Sequence, residues 1–131
     1  MATLSGSRVL VVEDDKLLSS LIVRKLKAEN CNVLYAANGE DALKALEKET
    51  PDLILLDILL PGIDGFEVLK RVKENASLRD VPVIILSNLG QESDIEQGKK
   101  LGAVTFLVKA SLTLDEITKE IGRVVTERAK K

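Results

Sequence analysis

Apolar and polar positions along this chain fall into blocks that predict five strands, each followed by a helix. The clearest block is Leu53-Ile54-Leu55-Leu56, bounded by Pro51-Asp52 on one side and Asp57 on the other. A short run with no polar side chain, stopped by a carboxylate, predicts a central parallel strand covered on both faces. Upstream, Arg8 to Val12 predicts a strand that stops on Glu13-Asp14-Asp15; Leu18, Leu21, Ile22 and Leu26 then recur at helical spacing to about Asn30. Asn32 to Ala36 reads as a weaker strand and Asn38-Gly39 as a turn. Ala42, Leu43 and Leu46 form the stripe of a helix that ends at Pro51.

Downstream, Pro61-Gly62 marks a loop, and Gly65 opens a helix continued by Phe66, Leu69 and Val72 to about Asn75. Val81 to Leu86 predicts the fourth strand, with proline tolerated at its opening, and it ends on Ser87-Asn88. Gln91 to Leu101 is helical by its charge pattern and closes on Gly102. Its only large apolar anchors are Ile95 and Leu101, so it is the helix expected to be held least firmly and a candidate moving part. Val104 to Val108 predicts the fifth strand, ending on Lys109. Leu114, Ile117, Ile121, Val124 and Val125 make the last helix amphipathic despite Gly122.

Strand then helix, five times over, implies an α/β fold: a doubly wound, mainly parallel sheet with right-handed crossovers and helices on both faces. For five strands the flavodoxin-like (βα)5 arrangement, strand order 2-1-3-4-5, is the favoured solution. The 131 residues suit one domain with one core. Met1 to Ser7 lacks the basic start and apolar centre of a signal peptide and is expected to be a flexible leader, with the domain over residues 8–131. Nineteen Lys and Arg against 21 Asp and Glu leave the chain nearly neutral, which argues against a dedicated nucleic-acid surface. No apolar run is long enough to span a bilayer, and the single Cys31 agrees with a reducing cytoplasm. With no histidine, the commonest general base and every histidine-based metal site are removed.

The candidate chemistry comes from where the strands stop. In a parallel sheet the carboxyl ends of the strands lie on one edge, where ligands bind. That edge would gather Glu13 and Asp14, Asp57, Ser87 and Lys109. Three neighbouring carboxylates repel one another and need a cation. With oxygen ligands alone, a hard ion such as Mg²⁺ suits them, and Mg²⁺ in turn suits phosphoryl chemistry. Each residue also has an ordinary explanation. Asp57 could cap a helix or sit in a loop, Glu13 and Asp14 could meet a helix dipole, as Asp15 is expected to, and Lys109 could be a solvated lysine. A strand-end serine is commonplace, and Phe106 is a natural core residue.

Val-Leu-Val-Val-Glu13-Asp14-Asp15, Leu-Ile-Leu-Leu-Asp57-Ile-Leu-Leu-Pro61-Gly62-Ile-Asp-Gly65, Ile-Ile-Leu-Ser87 and Phe106-Leu-Val-Lys109 together resemble the receiver domain of two-component response regulators, over nearly the whole chain. The resemblance implies that Asp57 accepts a phosphoryl group from a sensor histidine kinase, a phosphotransfer protein or a small phosphodonor. It implies that Glu13, Asp14, Asp57 and the backbone carbonyl of Leu59 hold Mg²⁺. It also implies that Lys109 pairs with phosphoryl oxygens, that Ser87 moves to bond one of them, and that Phe106 occupies an aromatic switch position. The fourth helix, fifth strand and fifth helix would then be the partner-binding face that changes.

Two features depart from that family. Proline commonly follows the lysine, whereas here Ala110 does; a trans Lys109–Ala110 peptide and a rearranged loop are expected. Leu59 and Leu89 stand two residues after the acceptor and the switch hydroxyl, and neither can orient water, which implies slow self-dephosphorylation.

The leading expectation is therefore a phosphorylation-switched module rather than an enzyme, acting on a downstream protein target, with no nucleic-acid or membrane contact of its own, as a monomer or a phosphorylation-induced dimer. A chain ending in Glu127-Arg128-Ala129-Lys130-Lys131 is expected to lack an output domain, unless it is an excised receiver of a larger regulator. Two alternatives are an aspartyl-phosphate phosphatase, which would want a second acid where Leu59 stands, and a phosphorylation-independent adaptor.

Overall fold

The computed structural model describes residues 5–129. Of the leader expected over residues 1–7, the first four residues lie outside that range, as do the final two lysines. Gly6 donates its N–H to the carbonyl of Asn30, and the carbonyl of Ser7 accepts from Asn32.

Five strands, β1 (Arg8–Val12), β2 (Asn32–Ala36), β3 (Leu53–Leu56), β4 (Val83–Ser87) and β5 (Thr105–Val108), alternate with five helices. These are α1 (Lys16–Ala28), α2 (Gly39–Lys48), α3 (Gly65–Glu74), α4 (Glu92–Lys100) and α5 (Leu114–Ala129). The sheet is parallel in every pairing, as the alternation of elements implies, and its order is β2-β1-β3-β4-β5, the order expected.

The period-2 geometry of the strands divides the core into two layers. Leu10 and Val12 of β1, Ile54 and Leu56 of β3, and Val83 and Ile85 of β4 pack with Ala42, Leu46, Val68, Leu69 and Val72 from α2 and α3. The alternate residues Val9, Val11, Leu53, Leu55, Ile84 and Leu86 pack with Ile22, Leu26, Ile117, Ile121 and Val125 from α1 and α5. Strands buried on both sides have no room for polar residues, which is why β3 reads as an unbroken apolar run.

Helix starts are set by side chains that accept orphan N–H groups. Asp15, expected to meet the helix dipole, does so from the cap of α1, where its side chain accepts from Leu18 N–H. Asn38 caps α2 and Asp64 caps α3. Thr113 and Glu116 form a reciprocal capping box at α5. By contrast, α4 has no side-chain cap bond, and Gly98 is its one buried residue. That is the loosely held helix expected from its two apolar anchors.

The strand bounds differ slightly from the pattern. β4 begins at Val83 because Val81 N–H is taken by the carbonyl of Leu78 in a turn. β5 begins at Thr105 because Val104 only touches the sheet, donating to the carbonyl of Val83. After β5 the chain makes a 3₁₀ turn over Lys109–Ser111, with no cis peptide among the described residues.

Candidate functional site

Strand register brings the site together. Val12 pairs with Leu56, so Glu13 and Asp57 are each one residue past a matched pair at the carboxyl edge. Leu56 pairs with Ile85 and Ser87 with Val108, which places Ser87 and Lys109 on the same edge. One oxygen from each of Glu13, Asp14 and Asp57 lies within 4.8 Å of the others. Glu13 and Asp57 are buried, whereas Asp14 faces solvent.

Lys109 closes the cluster. Its Nζ is 2.8 Å from Oε1 of Glu13 and 2.9 Å from Oδ2 of Asp57, with the lysine side chain only 14% exposed. Glu13 also accepts from Asp15 N–H through Oε2, and Asp57 accepts from Leu59 N–H through Oδ1. Burial, the largest influence, pushes the Glu13 carboxyl up to about 6 despite its bonds to Lys109 and Asp15. Burial also presses down on Lys109, but hydrogen bonds to Glu13 and Asp57, reinforced by their charges, hold it above the ordinary lysine value. The lysine therefore stays charged and acts as the counter-ion of two buried carboxylates.

Of the other expected residues, Ser87 is fully buried and its Oγ accepts from Leu89 N–H at 3.3 Å. Leu59 is 54% exposed beside the acids. Phe106 is half-buried on β5, and a Cβ on Gly98 of α4 would stand 3.1 Å from its ring and 2.7 Å from Cδ1 of Ile85. The glycine thus lets α4 approach β4 and β5 closely, with the aromatic ring in the seam.

The donor set fits a hard divalent ion. It is all oxygen, two of its carboxylates are buried and one is open to water, and a site that keeps several waters on the ion needs such an opening. Two contributors carry no sequence signal of their own. Gly65 reads as a helix start, yet a Cβ there would overlap the carbonyl oxygen of Asp57 and stand 2.7 Å from Cα of Ile58, so the glycine lets α3 lie against the loop that carries the acid. Tyr35 on β2 donates its hydroxyl to the backbone carbonyl of Glu13 at 2.8 Å. Only the β1–β2 register, which pairs Tyr35 with Val11, brings that residue near the acids.

The response regulator receiver domain family matches residues 9–122, and the chain belongs to that family. It is 40% identical over 101 residues to transcriptional regulatory protein AfsQ1 of Streptomyces coelicolor, covering 77% of this chain and 44% of that protein. It is 38% identical to sporulation initiation phosphotransferase F of Bacillus subtilis, covering 86% and 88% of the two chains. A putative response regulator from Chloroflexus aurantiacus superposes with a TM-score of 0.86 at 30% identity, covering 93% and 99%. The chain thus spans less than half of the Streptomyces regulator and most of the Bacillus phosphotransferase. Among the described residues no helix is long and apolar enough to cross a membrane.

Proposed function

We propose that residues 8–131 form one receiver unit that takes a phosphoryl group on Asp57 and passes the change to a protein partner in the cytoplasm. The observation that carries this reading is the Lys109 ammonium held between Glu13 and Asp57 at the mouth of a three-carboxylate cluster. An oxygen of Asp57 attacks phosphorus, the bond from phosphorus to the nitrogen of a phosphohistidine or the oxygen of a small donor breaks, and the leaving group departs with its electron pair. Positioning and charge neutralisation dominate such a transfer. Glu13, Asp14, Asp57 and the backbone carbonyl of Leu59 hold Mg²⁺, which when bound offsets the charge on the phosphoryl oxygens.

The acyl phosphate adds about one to two negative charges and three acceptor oxygens. Lys109 leaves Asp57 Oδ2 for a phosphoryl oxygen, and the Ser87 hydroxyl donates to another. Both residues sit at strand ends next to α4, β5 and α5, and the single-glycine seat of α4 makes that face the easiest to bias between two arrangements. A sensor histidine kinase or phosphotransfer protein supplies the group, and a downstream protein reads the face, with the chain a monomer or a dimer once phosphorylated.

Incubation with acetyl phosphate and Mg²⁺, followed by intact-mass measurement, tests this reading. One phosphoryl addition that needs Mg²⁺ is expected. Steady turnover of a phosphorylated metabolite would favour a phosphatase, and an unchanged mass would favour an adaptor. Leu59 and Leu89 flank Asp57 and Ser87 without a group that could orient water, so the acyl phosphate should decay slowly. Leu59→Asn or Leu89→Glu is expected to raise the decay rate by about ten-fold or more. A native decay already fast, and moved by neither change, contradicts this.

A further inference from the structure

Asp14 is the exposed member of the acid cluster, and its carboxylate has no hydrogen-bond or ion-pair partner among the described residues. Its neighbours are held by side-chain contacts: Glu13 by Lys109 and Asp15, Asp57 by Lys109 and Leu59. Nothing comparable aims Asp14, so its direction is inherited from the backbone.

That backbone is gripped from β2 on both sides of residue 13. Glu13 N–H donates to the carbonyl of Ala36 at 3.1 Å, and Glu13 C=O accepts from the Tyr35 hydroxyl at 2.8 Å. The carbonyl of Glu13 lies in the same rigid plane as the nitrogen and Cα of Asp14. A hydroxyl that fixes the carbonyl oxygen therefore fixes the tilt of that plane, and with it the direction in which the Asp14 side chain leaves Cα. The Tyr35 ring contributes little burial of its own, since the residue is 45% exposed.

We propose that Tyr35 is a positioning residue for the acidic turn: its phenol orients the Glu13–Asp14 peptide so that the unsupported Asp14 carboxylate points into the cation site. This rests on the reading of Glu13, Asp14 and Asp57 as Mg²⁺ ligands. An Asp14 free to swing spends part of its time outside the ligand set, so losing the hydroxyl weakens the ion without removing a ligand.

Tyr35→Phe deletes only the hydroxyl. Titration of the unphosphorylated chain with MgCl₂, followed by calorimetry and by the amide signals of Asp14 and Asp15, should show Mg²⁺ binding about three- to ten-fold weaker than in the native chain. Leu46→Ala, in the core at the far end of α2, lowers stability without touching the turn and should bind Mg²⁺ as the native chain does. Equal affinity in Tyr35→Phe and the native chain overturns the positioning role while leaving the site intact, as does equal weakening in Leu46→Ala. No Mg²⁺ binding by the native chain at millimolar concentration overturns the site reading itself, and the positioning role with it.

Discussion

Lys109→Met is expected to destabilise the chain by about 3 kcal/mol in the absence of divalent cations, because it leaves two buried carboxylates facing each other without their counter-ion. Glu13 and Asp57 are 2% and 4% exposed, so they would be poorly solvated without the ammonium that now stands 2.8 and 2.9 Å from them. For a domain of this size the melting temperature should fall by about 10 °C. Added Mg²⁺ should recover much of that loss, since it supplies positive charge to the same carboxylates. The variant should also take up a phosphoryl group without the structural change proposed to follow it in the native chain. A thermal scan with and without Mg²⁺ checks the first expectation. Unaltered stability without Mg²⁺ would mean that the carboxylates do not depend on Lys109.

Gly65→Ala should be the most damaging glycine substitution near the site. Its new Cβ would overlap the carbonyl oxygen of Asp57 and crowd Cα of Ile58, and both are backbone atoms with no rotamer through which to escape. At Gly98 the nearest atoms belong to the Ile85 and Phe106 side chains, not to the backbone. Forcing α3 away from the Asp57 loop should cost about 3 kcal/mol. It should also slow phosphoryl uptake at least ten-fold by displacing the acceptor, since small misplacements at a reacting group are expensive. Denaturant unfolding together with the uptake rate measures both. Native stability combined with a native rate would show that the helix has room to move.

The sequence made the sheet legible because its strands are buried on both faces: Val9 to Val12, Leu53 to Leu56 and Val83 to Leu86 carry no polar side chain, and each stops on a group that cannot be buried unpaired. Those stops also pointed to the candidate site, since Glu13, Asp57, Ser87 and Lys109 are the first polar residues past apolar runs. Boundaries were less legible where apolar residues continue into a turn, as at Val81, whose N–H serves Leu78 rather than the sheet. The contributions of Gly65 and Tyr35 were not legible at all. Each acts on a backbone atom, Gly65 on Asp57 C=O within the loop that joins β3 to α3 and Tyr35 on Glu13 C=O from the neighbouring strand, and no local pattern records such a contact.

The proposed switch depends on Asp57 being the residue that carries the phosphoryl group. Borohydride reduces an aspartyl phosphate to homoserine, so peptide mapping after acetyl phosphate, Mg²⁺ and borohydride locates the modified side chain. Homoserine at position 57, absent when Mg²⁺ is withheld and absent in Asp57→Asn, is the expected result. Homoserine at Asp14 or Asp52 instead, or phosphate retained on Ser87 with Asp57 untouched, would contradict it.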